Sequence, residues 1–169
     1  DGVSIQGEQV IVLGAGGVGR AVAFMCAAKG AAHVWLLNRT VEKAAEVAKE
    51  VNLAEGRSCV ETLAMSDYDK LPDEKYLVIQ STSVGLYPHV EDAVITDPAF
   101  YHKVKAGYDL IYRPWETRFM QLVKEQGAPA YNGLKMLLYQ GIEAFELWNQ
   151  CKIEDGSAYK LYEMLRTTV

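Results

Sequence analysis

The sequence predicts an α/β domain: a doubly wound, mostly parallel sheet with helices on both faces. Short apolar runs rich in β-branched residues alternate with segments of helical period, and parallel strands need such crossover helices. The first apolar run passes straight into a glycine-rich turn that opens a helix. Half of the 169 residues are hydrophobic, enough for one domain with a substantial core.

The run Gln9 to Leu13 lacks strict alternation and ends at glycine, as a strand covered on both faces should. Arg20 to Lys29 is alanine-rich and apolar nearly all round, which suits a helix packed closely on a sheet, and Gly30 ends it. His33 to Leu37 is the second strand. Val41, Ala44, Ala45, Ala48 and Val51 recur at helical spacing behind Thr40, a candidate N-cap. Arg57 to Leu63 reads as a third strand and Asp67 to Lys75 as a polar connection. Tyr76 to Gln80 is a buried strand that runs into the small-residue turn Ser81-Thr82-Ser83-Val84-Gly85.

Gly107 to Tyr112 repeats the strand pattern and Pro114 ends it. Trp115, Phe119, Leu122 and Val123 mark an amphipathic helix closed by Gly127, followed by a short segment from Pro129 to Tyr131. A long helix begins near Gly133, with Leu134, Leu138, Ile142, Phe145 and Trp148 as its apolar stripe. A final helix, Ala158 to Arg166, is expected to fold back on the domain.

With 17 basic and 22 acidic residues, the net charge of −5 gives no general attraction to nucleic acid or to anionic membranes. No signal peptide or membrane-spanning run is apparent. Cys26, Cys59 and Cys151 form no CxxC pair and have no His at ligand spacing, so no disulfide framework or metal site is suggested. Reduced thiols in a cytoplasmic protein are the simple reading. His33, His89 and His102 have no partner pattern that points to catalysis.

The turn Gly14-Ala15-Gly16-Gly17-Val18-Gly19 is a GxGxxG pattern placed between a strand and a helix, the context that gives this motif meaning. Gly14 can take the tight-turn backbone, Gly16 has no side chain to hold off a pyrophosphate, and Gly19 lets helix and strand pack closely. The helix start offers unpaired N–H groups to a diphosphate. A Rossmann-type dinucleotide site follows, with Gly14, Ala15, Gly16, Gly17 and Val18 as candidate contacts. The rival reading is a turn that serves packing alone.

NAD-selective domains usually end the second strand in an acidic residue that holds the ribose hydroxyls. Here the strand ends in Asn38-Arg39-Thr40, with Lys43 one helical turn further on. Arg39, Lys43, the Thr40 hydroxyl and the start of the second helix can surround a dianionic 2′-phosphate, so NADP is preferred over NAD. Solvated charges on a capped helix are the alternative.

Taken together, the glycine turn, Asn38-Arg39-Thr40, the Ser81 to Gly85 segment with Pro88, and Asn132-Gly133-Leu134-Lys135-Met136-Leu137 followed by Gln140 resemble the C-terminal, NADP-binding domain of the shikimate dehydrogenase family. The resemblance covers nearly the whole chain. It implies that the glycine turn holds the pyrophosphate and that Asn38, Arg39, Thr40 and Lys43 hold the adenosine end. It also implies that Thr82, Ser83 and Val84 lie on the cofactor, that Leu110 and Gly133 flank the nicotinamide, and that Tyr112 and Gln140 touch the substrate. Local rivals stay open: a wet strand-end hydroxyl for Tyr112, an interhelical hydrogen bond for Gln140, core packing for Leu110, and a simple strand cap for Ser81 to Ser83.

Three departures from the family pattern bear on substrate choice: Gln80-Ser81 in place of Asn-Ala, Lys135 at a position where small residues are common, and the loop Arg113-Pro114-Trp115. A quinate or aminoshikimate enzyme could use the same scaffold. The resemblance further implies a preceding substrate domain that carries a catalytic lysine and aspartate, and no residue here matches either. The chain is therefore expected to be the cofactor half of an enzyme that interconverts 3-dehydroshikimate and shikimate, inactive alone. A stand-alone NADP-binding sensor remains an alternative, as does another two-domain reductase, such as a methylenetetrahydrofolate or glutamyl-tRNA enzyme.

Overall fold

A computed structural model describes residues 2–168. The elements in order are β1 (Gln9–Leu13), α1 (Gly17–Ala28), β2 (His33–Asn38), α2 (Val41–Glu55), β3 (Val60–Ala64), β4 (Tyr76–Gln80), α3 (Pro98–Tyr101), β5 (Val104–Asp109), α4 (Arg118–Glu125), β6 (Ala130–Tyr131), α5 (Leu134–Asn149) and α6 (Asp155–Arg166). A 3-10 segment, Met65–Lys70, lies between β3 and β4. The six strands form one sheet in the order β3-β2-β1-β4-β5-β6. Every pairing is parallel.

The sheet explains the unbroken apolar runs. In β1, Val10 and Val12 join the core under α1 and α2, while Ile11 and Leu13 join the core on the opposite face with Tyr76, Phe100, Phe119 and Val123. All four of these β1 side chains are fully buried. Each burial stabilises the fold by roughly 1.5–3 kcal/mol before chain entropy is counted. Burial also pushes the Cys26 thiol up to about 12, so it is held in the unreactive protonated form.

Several boundaries differ from the sequence reading. The first helix starts at Gly17, three residues ahead of Arg20, so the glycine turn itself forms its first turn. The fifth strand is Val104–Asp109, because Val104 and Ala106 pair with β4; Leu110 and Tyr112 follow the strand and do not belong to it. Trp115 lies outside α4, which begins after its N-cap Thr117. The polar connection contains the 3-10 segment, and α3, capped by the Asp97 side chain through Ala99 N–H, is a further helix of 4 residues, too short to show a helical period in the sequence.

The stripe on α5 is only half right. Leu134, Leu138 and Ile142 are buried, but Phe145 and Trp148 are 49% and 80% exposed. Glu146 is the buried residue in that last stretch; it accepts the Ile153 N–H at 2.7 Å and pairs with Lys152. The cause is the chain reversal after Gln150, which brings α6 onto α5 at Leu138, Ile142 and Ala158 and leaves the Phe145–Trp148 side uncovered. No helix among the described residues is long and apolar enough to cross a membrane.

Candidate functional site

The carboxyl ends of β1, β4 and β5 open onto one cleft of about 1060 Å³. Its lining includes Val18 from the glycine turn, Ser81, Thr82 and Ser83 after β4, Leu110 to Pro114 after β5, and Met136 on α5. A cleft at this end of an open parallel sheet, beside the point where strand order reverses between β1 and β4, is where such folds bind ligands.

The glycine turn is shaped by close approach. Gly14 has φ +103°, in the region that favours glycine. A Cβ on Gly19 would lie 2.0 Å from the Gly14 carbonyl oxygen, so only glycine lets α1 start this close to β1. A Cβ on Gly16 or Gly17 would meet nothing within 4 Å. Those two positions face open space, which leaves room for a bulky anion against the backbone. Arg20 donates the first helical bond back to Gly16 O at 2.8 Å, and the amides ahead of it have no helical acceptor.

Two side chains brace the turn. Asn38 Oδ1 accepts the Ala15 N–H at 3.1 Å, and its Nδ2 donates to the Thr40 carbonyl at 2.8 Å. Ser81 Oγ donates to the Leu13 carbonyl at 2.8 Å and lies 3.2 Å from the Gly14 carbonyl. Asn38 thus ties the glycine turn to the end of β2. Thr40 is the N-cap of α2, but its side chain makes no capping bond.

Arg39 and Lys43 are exposed and form no salt bridge among the described residues. Arg39 lines a second cavity of about 420 Å³ beside Met65, Tyr68 and Asp97. On the other wall, Gly133 is pressed so closely on Leu110 that a Cβ would lie 2.1 Å from the Leu110 oxygen, and Gly133 N–H donates to Ile111 O at 2.9 Å. Tyr112 is 37% exposed and lines the cleft. Val84 and Gln140 lie outside the lining; Gln140 is exposed on α5, one turn beyond Met136. Lys135 turns toward α6, with Nζ 5.5 Å from the centre of the Tyr162 ring.

The sequence reading missed a buried polar network beneath the cleft. Asp109 is 1% exposed, accepts the Ile111 N–H at 2.9 Å and receives the Thr117 hydroxyl at 2.6 Å. Burial pushes its carboxyl up to about 6, against the lowering effect of hydrogen bonds from Thr117, Ile111 and Gln80. The available signal was an acid closing an apolar strand with a threonine N-cap a short loop later. No cluster of three or more His, Cys, Asp or Glu side chains that could hold a metal occurs among the described residues.

The doubly wound sheet and its open glycine turn define a Rossmann-type domain. The chain belongs to the shikimate / quinate 5-dehydrogenase family, whose profile matches residues 2–96, and the shikimate 5′-dehydrogenase C-terminal domain profile matches residues 133–154. It is 38% identical over 146 residues to a shikimate dehydrogenase (NADP(+)) of Methanosarcina acetivorans, covering 86% of this chain and 51% of that protein. The fold is similar to a chorismate mutase/shikimate 5-dehydrogenase fusion protein from Clostridium acetobutylicum, with TM-score 0.86, 28% identity, and coverage of 99% of this chain and 57% of that one. It is also similar to a shikimate dehydrogenase solved in complex with NADP+, with TM-score 0.77, 30% identity, and coverage of 93% and 54%. The chain spans about half the length of the curated relatives it matches.

Proposed function

We propose that this chain is the cofactor-binding half of an NADP-dependent shikimate dehydrogenase, which interconverts 3-dehydroshikimate and shikimate. The observation that carries the reading is a glycine turn open at Gly16 and Gly17, together with two cations, Arg39 and Lys43, that form no salt bridge among the described residues and stand where an NAD-selective site would place an acid. The residues present fit a dinucleotide phosphate. Gly16, Gly17 and Val18 offer backbone amides to the pyrophosphate, and Ala15 is held in place by Asn38. Arg39 and Lys43, flanking Thr40, receive the 2′-phosphate. Thr82, Ser83, Val84, Leu110 and Gly133 shape the nicotinamide end. Tyr112 and, from α5, Gln140 face the substrate, whose hydroxyls and carboxylate match a phenol and an amide.

When bound, NADPH supplies the hydride. This chain's own groups bind and orient; the proton for the carbonyl comes from a second, substrate-binding domain of the enzyme. Similarity to relatives described as NADP(+) enzymes supports the cofactor, and the family description admits quinate as a second substrate.

Titration calorimetry tests the cofactor. NADPH binds more tightly than NADH, and Arg39→Ala removes much of the difference, because a charge-assisted contact to the 2′-phosphate contributes on the order of 1.5–3 kcal/mol, or about tenfold to a hundredfold. Equal affinities in the unmutated protein would refute the assignment. The 169-residue protein alone then binds NADPH without oxidising shikimate or quinate, followed by absorbance of reduced nicotinamide beside a full-length relative. Turnover by this chain alone would reveal a proton-transfer group within it.

A further inference from the structure

Two loops, residues 81–85 after β4 and 110–117 after β5, both contribute to the cleft lining. Under them lie Gln80 and Asp109, 0% and 1% exposed. Asp109 holds the second loop at both ends. Its Oδ1 accepts the Ile111 N–H at 2.9 Å, and its Oδ2 accepts the Thr117 hydroxyl at 2.6 Å. Thr117 Oγ1 in turn accepts the Met120 N–H at 3.3 Å, which anchors the start of α4.

Gln80 does the same for the first loop. Its Oε1 accepts the Thr82 N–H at 2.5 Å, and its Nε2 donates to the Val84 carbonyl at 3.1 Å. The same Nε2 reaches Asp109 Oδ1 at 3.4 Å, so one contact joins the two sets. The other four positions of β4, Tyr76 to Ile79, are buried hydrophobic residues. A buried amide and a buried carboxylate are costly unless their bonds are met, and apolar side chains would pack these strand ends with less at stake. The polar pair sits where the two loops leave the sheet.

We propose that Gln80 and Asp109 are a positioning pair that fixes the two cleft loops to each other, so that order imposed on one loop is transmitted to the other. Its functional meaning rests on the cleft being the ligand site. Neither Gln80 nor Asp109 lines the cleft itself; the pair acts through Thr82 and Ile111, which do, and through Thr117.

Amide hydrogen exchange on the 169-residue protein tests the coupling from one side to the other. Thr117→Val removes the hydroxyl donor from the second loop. It should raise exchange about tenfold at Ile111 and also at Thr82 across the pair, with β1 amides unchanged, and Thr117→Ser should restore both sites. Gln80→Met, with similar shape and no hydrogen bond, should give the reciprocal pattern. Faster exchange confined to the mutated loop, or raised equally through β1, would overturn the proposal. If Gln80→Met does not fold, the two Thr117 variants decide alone. NADPH titration of the same unmutated sample keeps the questions apart: absence of binding refutes the cofactor assignment, while the exchange result still judges the pair.

Discussion

The two walls of the cleft are built by different means. One wall, the β1–α1 turn, is backbone: Gly14 in its left-handed conformation, Gly19 against Gly14 O, and amides at a helix start, all within one short stretch of chain. The other, from the β5–α4 loop and α5, depends on side chains far apart in sequence: Gln80 with Asp109, Asn132 Nδ2 donating to Trp115 O at 3.1 Å, and the Arg166 guanidinium 5.9 Å from the Trp115 ring centre. A wall made of local backbone tolerates no added atom at its tightest point. A wall made of distant polar contacts responds to charge.

The largest effect should therefore come from the glycine wall. Gly19→Val puts a side chain into a backbone oxygen that cannot rotate away, and it should destabilise the fold by more than about 4 kcal/mol, or prevent folding. Gly16→Ala is the contrast, since its Cβ meets nothing and its φ of −74° suits any residue. Stability should stay within about 0.5 kcal/mol, while NADPH affinity falls about tenfold. Urea unfolding and calorimetry on both variants check the pair of outcomes. A stable Gly19→Val protein would mean that the turn is not the rigid element described.

The polar wall should respond to pH. Asp109 has a carboxyl raised to about 6 in the folded state, above its ordinary value in the unfolded chain. The folded state therefore binds that proton more tightly. The resulting stability is fully present below the unfolded pKa and is lost as pH rises through about 6. Its size is up to about 3 kcal/mol, an upper figure for a group this hydrogen-bonded. The nearby Tyr101 phenol is pushed far up by burial and stays neutral across this range. Asp109→Asn should flatten this part of the pH profile of urea unfolding. Superimposable profiles for the two proteins would show that Asp109 titrates normally.

The same contrast separates what was legible in the sequence from what was not. The glycine turn, β1, β4 and the crossover helices could be read because each depends on neighbours in sequence: a β-branched run, a glycine at a fixed offset, an apolar face at helical period. The start of β5 is not legible, because Val104 and Ala106 become strand residues only by pairing with Tyr76 and Leu77. Asn38 was legible as part of a motif but not as the brace of Ala15, since that bond spans 23 residues. The Gln80–Asp109 contact spans 29, and nothing local announces it.

The smallest expected effect falls on the outer end of the second wall, where periodicity continued past the point at which packing stops. Leu138 and Trp148 belong to one apolar stripe in the sequence, yet Leu138 is 7% exposed against α6 and Trp148 is 80% exposed. A helix stripe stabilises only where another element covers it, and α6 covers α5 at Leu138 and Ile142 but not at the far turn. Leu138→Ala should cost about 2–5 kcal/mol through lost burial and an unfilled cavity. Trp148→Ser should change stability by less than about 0.5 kcal/mol, because water already surrounds the ring in both states. Urea midpoints of the two variants at low protein concentration make the comparison directly. A Trp148→Ser loss approaching that of Leu138→Ala would show that something covers this end of α5 in solution, and a concentration-dependent midpoint in the unmutated protein would identify the cover as a second copy of the chain.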